Sequence, residues 1–150
     1  MKKFFKFAVV ALAAAAVVVA CQKPAANNDP QIESGDETPK TADLFVLNTP
    51  GWDAPALWAW GNDAIKMPGA WPEGIAPEAG VTLLGDKEYL HFVLNEAFIG
   101  EGIGFLIVNK TDKVQTVDAA GLTIKAGDNL KYEIGAEAGS DGKFPLTKVE

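Results

Sequence analysis

Ala56-Leu57-Trp58-Ala59-Trp60-Gly61 is the stretch from which the fold can be read. Side chains of an extended strand alternate between two faces, so Trp58 and Trp60 share one face and Leu57 and Ala59 the other. Leu57 and Ala59 suit a core. Two indoles side by side on the opposite face suit a cover: a second sheet, a partner protein, or the flat apolar face of a sugar. Core filling is the simplest use of tryptophan, because aromatics dominate cores and interfaces alike. Yet three of the chain's four tryptophans fall between Ala56 and Gly74, the third in Trp71-Pro72-Glu73-Gly74.

Outward from this stretch the same short-strand pattern recurs. Leu44-Phe45-Val46-Leu47 precedes it and is closed by the turn cluster Asn48-Thr49-Pro50-Gly51. Over 61–80, Pro68, Pro72 and Pro77 alternate with Gly61, Gly69, Gly74 and Gly80. That predicts a long irregular loop, which in a small domain is usually functional. Strands over 81–84 and 88–94 flank Gly85-Asp86-Lys87 as a hairpin. In the second arm Tyr89, His91 and Val93 face one way, and Leu90, Phe92 and Leu94 the other. After a connector over 95–102, the nearly continuous apolar run 103–108 reads as a central strand. Asn109-Lys110-Thr111-Asp112 turns it into a strand over 113–117. Short strands over 121–124 and 129–134 follow, and an end piece over 143–149 that pairs along an edge. Seven to eight short strands, regularly spaced with turn residues between them, predict an all-β fold, a β-sandwich.

The chain of 150 residues is long enough for one domain. Its start has another character. Met1-Lys2-Lys3-Phe4-Phe5-Lys6 is basic, and the fourteen residues 7–20 are apolar. This is the layout of a secretory signal, and it falls short of the roughly 20 residues that span a bilayer. Val18-Val19-Ala20-Cys21 resembles the lipobox of bacterial lipoproteins, which implies cleavage after residue 20, lipidation of Cys21, and an exported protein anchored to the cell envelope, at the outer membrane or cell surface. Cys21 is the only cysteine, so no internal disulfide forms. Cleavage removes three of thirteen lysines and none of twenty acids, leaving a net charge of −10 with no arginine. Such a surface repels phosphate backbones, which excludes nucleic acid as a partner. Residues 21–42 then form a polar, proline-bearing tether with Ile32 as the sole large aliphatic, too poor in apolar surface to fold. The domain occupies 43–150.

The residues give catalysis little support. His91 is the only histidine and sits mid-strand, where a structural role is expected. With the cysteine lipidated, no thiol nucleophile or His/Cys metal site can be assembled. No carboxylate pair stands out as a glycosidase would need. Asp112, Asp118, Asp128 and Asp141 occupy turn-like segments, where aspartate is a turn former. The expectation is a protein without catalysis, cofactor or metal. Sugar recognition finds more. Trp58 and Trp60 supply one wall of a stacking site, Trp71 another, and Gln115 and Lys113, at alternating positions of the strand over 113–117, polar contacts. Two or three aromatics in a curved platform suit the coil of an α-1,4-glucan.

Leu57-Trp58-Ala59-Trp60-Gly61, then Ala70-Trp71-Pro72-Glu73-Gly74, then Gly104-Phe105-Leu106-Ile107-Val108-Asn109 leading to Gln115-Thr116-Val117-Asp118, resemble the family 26 starch-binding modules. The Trp-x-Trp strand also resembles the module at the front of bacterial pullulanases. The likeness spans about 44–134. It implies an immunoglobulin-like carbohydrate-binding sandwich that takes maltose-like ligands, with Trp60, Trp58 and Trp71 stacking on glucose and Gln115 bonding a hydroxyl. Glucan hydrolases or importers of the same system would be its associates. The loop departs from the family's Trp-Pro-Gly by the insertion of Glu73. The alternative is an envelope lipoprotein whose tryptophan face docks on a partner protein.

Overall fold

The alternating segments become strands because each has one face to bury, and two sheets laid face to face bury all of them. The computed structural model describes residues 40–150. The expected signal segment, Cys21 and the tether up to 39 lie outside the described residues. Nine strands follow: β1 (Ala42–Asn48), β2 (Pro55–Trp60), β3 (Thr82–Leu84), β4 (Lys87–Leu94), β5 (Gly100–Asn109), β6 (Val114–Gln115), β7 (Ala119–Ile124), β8 (Asn129–Ile134) and β9 (Leu146–Val149). Between β4 and β5 a single 3-10 turn, Glu96–Phe98, is capped by Asn95, whose side chain accepts from the Ala97 N–H at 3.0 Å. The fold is an all-β sandwich, as the spacing of the segments predicts.

One sheet has five strands in the order β3-β4-β1-β8-β9; in the other β5 pairs with β2 on one side and with both β6 and β7 on the other. β1 lies antiparallel to β4 and parallel to β8, so the first strand sits in the middle of its sheet. It opens on Ala42, which is fully buried. The β3–β4 hairpin turns on Gly85 and Asp86, with Leu84 paired to Lys87. Gly85 has φ +67, the left-handed conformation a two-residue turn demands at that position.

The inner faces supply one continuous core. Leu44 and Val46 of β1, Phe92 and Leu94 of β4, and Tyr132 and Ile134 of β8 meet Leu57, Ala59, Ile103, Phe105, Ile107 and Ile124 of the opposite sheet. Phe105 and Tyr132 pack edge to face across the layers, 5.2 Å between ring centres. Trp52 belongs here too. It is buried, edge-on to Phe144 at 5.0 Å, and its loop is held by Asn48, which bonds both its N–H and its carbonyl. Phe92→Ala should therefore cost about 3–5 kcal/mol, whereas Leu83→Ala, at an exposed position, should change stability by no more than about 0.5 kcal/mol. Urea unfolding of the two variants checks the contrast.

Candidate functional site

β5 explains where the tryptophans go. Its odd-numbered residues from Ile103 to Ile107 enter the core, and its even-numbered residues Gly104, Leu106 and Val108 face outward yet are also buried. Their cover comes from β2. In register, Ala56 lies opposite Val108, Trp58 opposite Leu106, and Trp60 opposite Gly104. Ala56, Leu106 and Val108 form a second, smaller apolar cluster with Trp58 and Trp60 packed against it. The alternation read from Ala56 to Trp60 is thus the alternation in the fold. Both indoles are half-buried from below and open above.

Trp60 needs a glycine beneath it. A Cβ on Gly104 would stand 2.4–2.7 Å from three atoms of the Trp60 ring, so the indole rests directly on the β5 backbone. A second glycine brings in the loop over 61–80. Gly74 lies so close to β2 that a Cβ there would meet the Leu57 carbonyl oxygen at 2.5 Å. The next residue, Ile75, exchanges two backbone hydrogen bonds of 2.8 Å with Leu57. The tight turn before it, in which the Glu73 N–H donates to the Ala70 carbonyl, carries Trp71 over the sheet. Trp71 meets Trp58 edge to face, ring centres 5.3 Å apart and planes at 78°. It is 42% exposed, among the most exposed large apolar side chains of the domain. The insertion of Glu73 has not moved Trp71 off the face.

Gln115 joins them. It is the pairing partner of Val108, and directly paired residues project to the same side of a sheet, so its side chain stands on the tryptophan face. Among the described residues neither its amide nor any of the indole N–H groups of Trp58, Trp60 and Trp71 has a hydrogen-bond partner. Lys113 differs from expectation. It is the last residue of the turn and not part of β6, with φ +58, and its N–H closes the turn onto the Asn109 carbonyl at 2.9 Å. Strand alternation therefore does not align it with Gln115. The reason is geometric: a left-handed residue re-aims the chain as it enters the short strand. Sequence reasoning also missed a charged pair at this end of the face, Lys110 Nζ and Glu73 Oε2, 3.7 Å apart.

The remaining polar groups hold the fold. Asn109 is buried, its amide donating to Asp112 at 2.9 Å. Asp128 and Asp141 accept backbone N–H groups two or three residues away, as turn formers do. His91 lies in the five-stranded sheet, 2.6 Å from an Asp43 carboxylate oxygen and stacked on Phe45 at 4.8 Å. An open depression of about 690 Å³ is lined by Lys40, Thr41, Asn62, Ala64, Asn95, Glu96 and Ala97. None of the predicted ligand-binding residues lines it.

Gly104→Ala should displace the Trp60 indole, cost about 1–3 kcal/mol as overpacking does, and leave Trp60 more open to acrylamide quenching than in the parent chain. An unchanged quenching profile would show that the ring does not rest on Gly104. No protein-family model matches this chain, and no curated protein or solved structure matches it either.

Proposed function

We propose that the chain is an envelope-anchored lipoprotein that binds starch-like α-glucans by aromatic stacking and performs no catalysis. The observation that carries the proposal is the corner of Trp58 and Trp71, with planes at 78°, beside Trp60 on one open face. Two rings set at an angle follow a chain that curves from one glucose to the next, whereas a straight ribbon calls for coplanar rings. The free N–H groups and the Gln115 amide offer the directional contacts that a hydroxylated ligand requires. The resemblance to family 26 starch-binding modules points the same way. Lipidated Cys21 would hold the site at the envelope, near hydrolases or importers that use the captured glucan.

Maltoheptaose titrated calorimetrically into the full chain, purified in a sugar-free detergent, should give a dissociation constant of about 10 μM to 1 mM. A shallow platform cannot enclose the ligand, and hydroxyl desolvation offsets much of the stacking gain. Trp60→Ala or Trp71→Ala should weaken binding at least about tenfold, or about 1.4 kcal/mol. Gln115→Ala should cost about 0.5–1.5 kcal/mol, as one hydrogen bond does. Leu83→Ala serves as control, since Trp52 is a core residue. No heat and no retardation in a starch gel would sink the proposal, and the face would then be assigned to a partner protein.

The anchor has its own test. Cys21→Ser should leave the precursor uncleaved and unlipidated, because no other thiol is present. Unchanged detergent partitioning of that variant would overturn the lipoprotein assignment.

A further inference from the structure

We propose that Lys110 and Glu73 are ligand-binding residues, which hydrogen-bond the hydroxyls of the sugar unit lying beyond the Trp58–Trp71 corner and do the work that the sequence suggested for Lys113. This rests on the glucan reading above and adds to it the polar end of the site. The placement comes from three features of the fold. Gly104, Leu106 and Val108 are the outward residues of β5, and Lys110, one position past the end of the strand, continues that series. Its N–H donates to the Ala54 carbonyl just ahead of β2, which fixes its backbone at 3.0 Å beside the row of Ala56, Val108 and Gln115. Glu73 comes from the other side, two residues after Trp71 on the same tight turn, and its carboxylate reaches Lys110. The aromatic rows therefore end in a cation, an anion and an amide.

The pair is loose. At 3.7 Å it lies outside the range of a hydrogen bond, and neither charged group has a hydrogen-bond partner among the described residues. The side chains are 32% and 62% exposed, so the contact adds little to stability. Two unmet groups of opposite character remain. An ammonium only donates and a carboxylate only accepts, while a sugar hydroxyl does both. Neighbouring hydroxyls of one pyranose can then bond the two groups at once, and charge-assisted bonds are the stronger kind. Such a site favours a neutral chain, since a uronate would bring a second carboxylate against Glu73. The insertion that sets this loop apart from the Trp-Pro-Gly pattern is the residue that supplies the acceptor.

The experiment uses the full chain in sugar-free detergent, with Lys110→Met, Glu73→Ala and Lys113→Met titrated against maltoheptaose beside the parent. Loss of one charged hydrogen bond should weaken binding about fivefold or more for Lys110→Met and for Glu73→Ala, with Lys113→Met within about twofold of the parent. Before sugar is added, all three should retain the far-ultraviolet circular dichroism couplet expected in the parent from the edge-to-face Trp58–Trp71 pair. The proposal is overturned if Lys110→Met and Glu73→Ala bind as the parent does, or if Lys113→Met is the variant that fails. Loss of the couplet in Lys110→Met or Glu73→Ala without sugar would also overturn it, because the pair would then only position Trp71. A parent chain that binds no maltoheptaose brings down this proposal and the glucan reading together, whereas failure of the pair alone leaves the glucan reading standing.

Discussion

A single strand buried on both faces governs this domain. β5 gives Ile103, Phe105 and Ile107 to the core between the sheets and still has Leu106 and Val108 to hide on its outer side. In many folds a helix covers such a face. Here the cover is made of side chains, two indoles from the neighbouring strand and a third carried in by a loop. A cover one side chain thick leaves its own upper surface in water. The demand that β5 be shielded thus produces an aromatic surface, and what can serve as a shield below is available as a platform above. Gly104 sharpens the point, because removing a side chain from the strand lets Trp60 settle on the backbone.

Much of this was legible in the residues. Turn residues at regular spacing marked the strands of the sandwich, and the pairing of Leu57 and Ala59 against Trp58 and Trp60 could be read from four letters, because burial on one face and not the other is a local property. The nearly continuous apolar run over 103–108 announced a central strand, and the fold adds that both of its faces are covered. What failed to show was contact between distant residues. Nothing near β1 says that its parallel partner is β8, whose Asn129 pairs with Asp43. Lys113 carries no glycine-like mark of a left-handed residue, so the strand was expected to start one position early. The meeting of Glu73 with Lys110 depends on where Gly74 docks on β2, a close approach that only the assembled backbone reveals.

The loop over 61–80 does two jobs with one set of contacts. β2 is the outermost strand of its sheet, and an uncovered edge invites unwanted pairing. Ile75 occupies that edge at Leu57 with two hydrogen bonds. The same docking sets the height from which Trp71 reaches Trp58. An irregular segment is thereby tied to a rigid element at the point where its aromatic is delivered, which limits the ordering entropy left to be lost when the face is covered.

The central position of β1 has a mechanical meaning. The strand joins the preceding chain at Ala42 and runs between β4 and β8, with six paired positions on each side. A pull applied at Ala42 along the axis of β1 would act on both ladders at once. Both ladders are then loaded in shear, with all their bonds strained together, instead of peeling open one after another. The tryptophan face lies on the opposite sheet, so a load held there crosses the core before it reaches β1. The first strand of the domain is thus clamped on both sides against being drawn out.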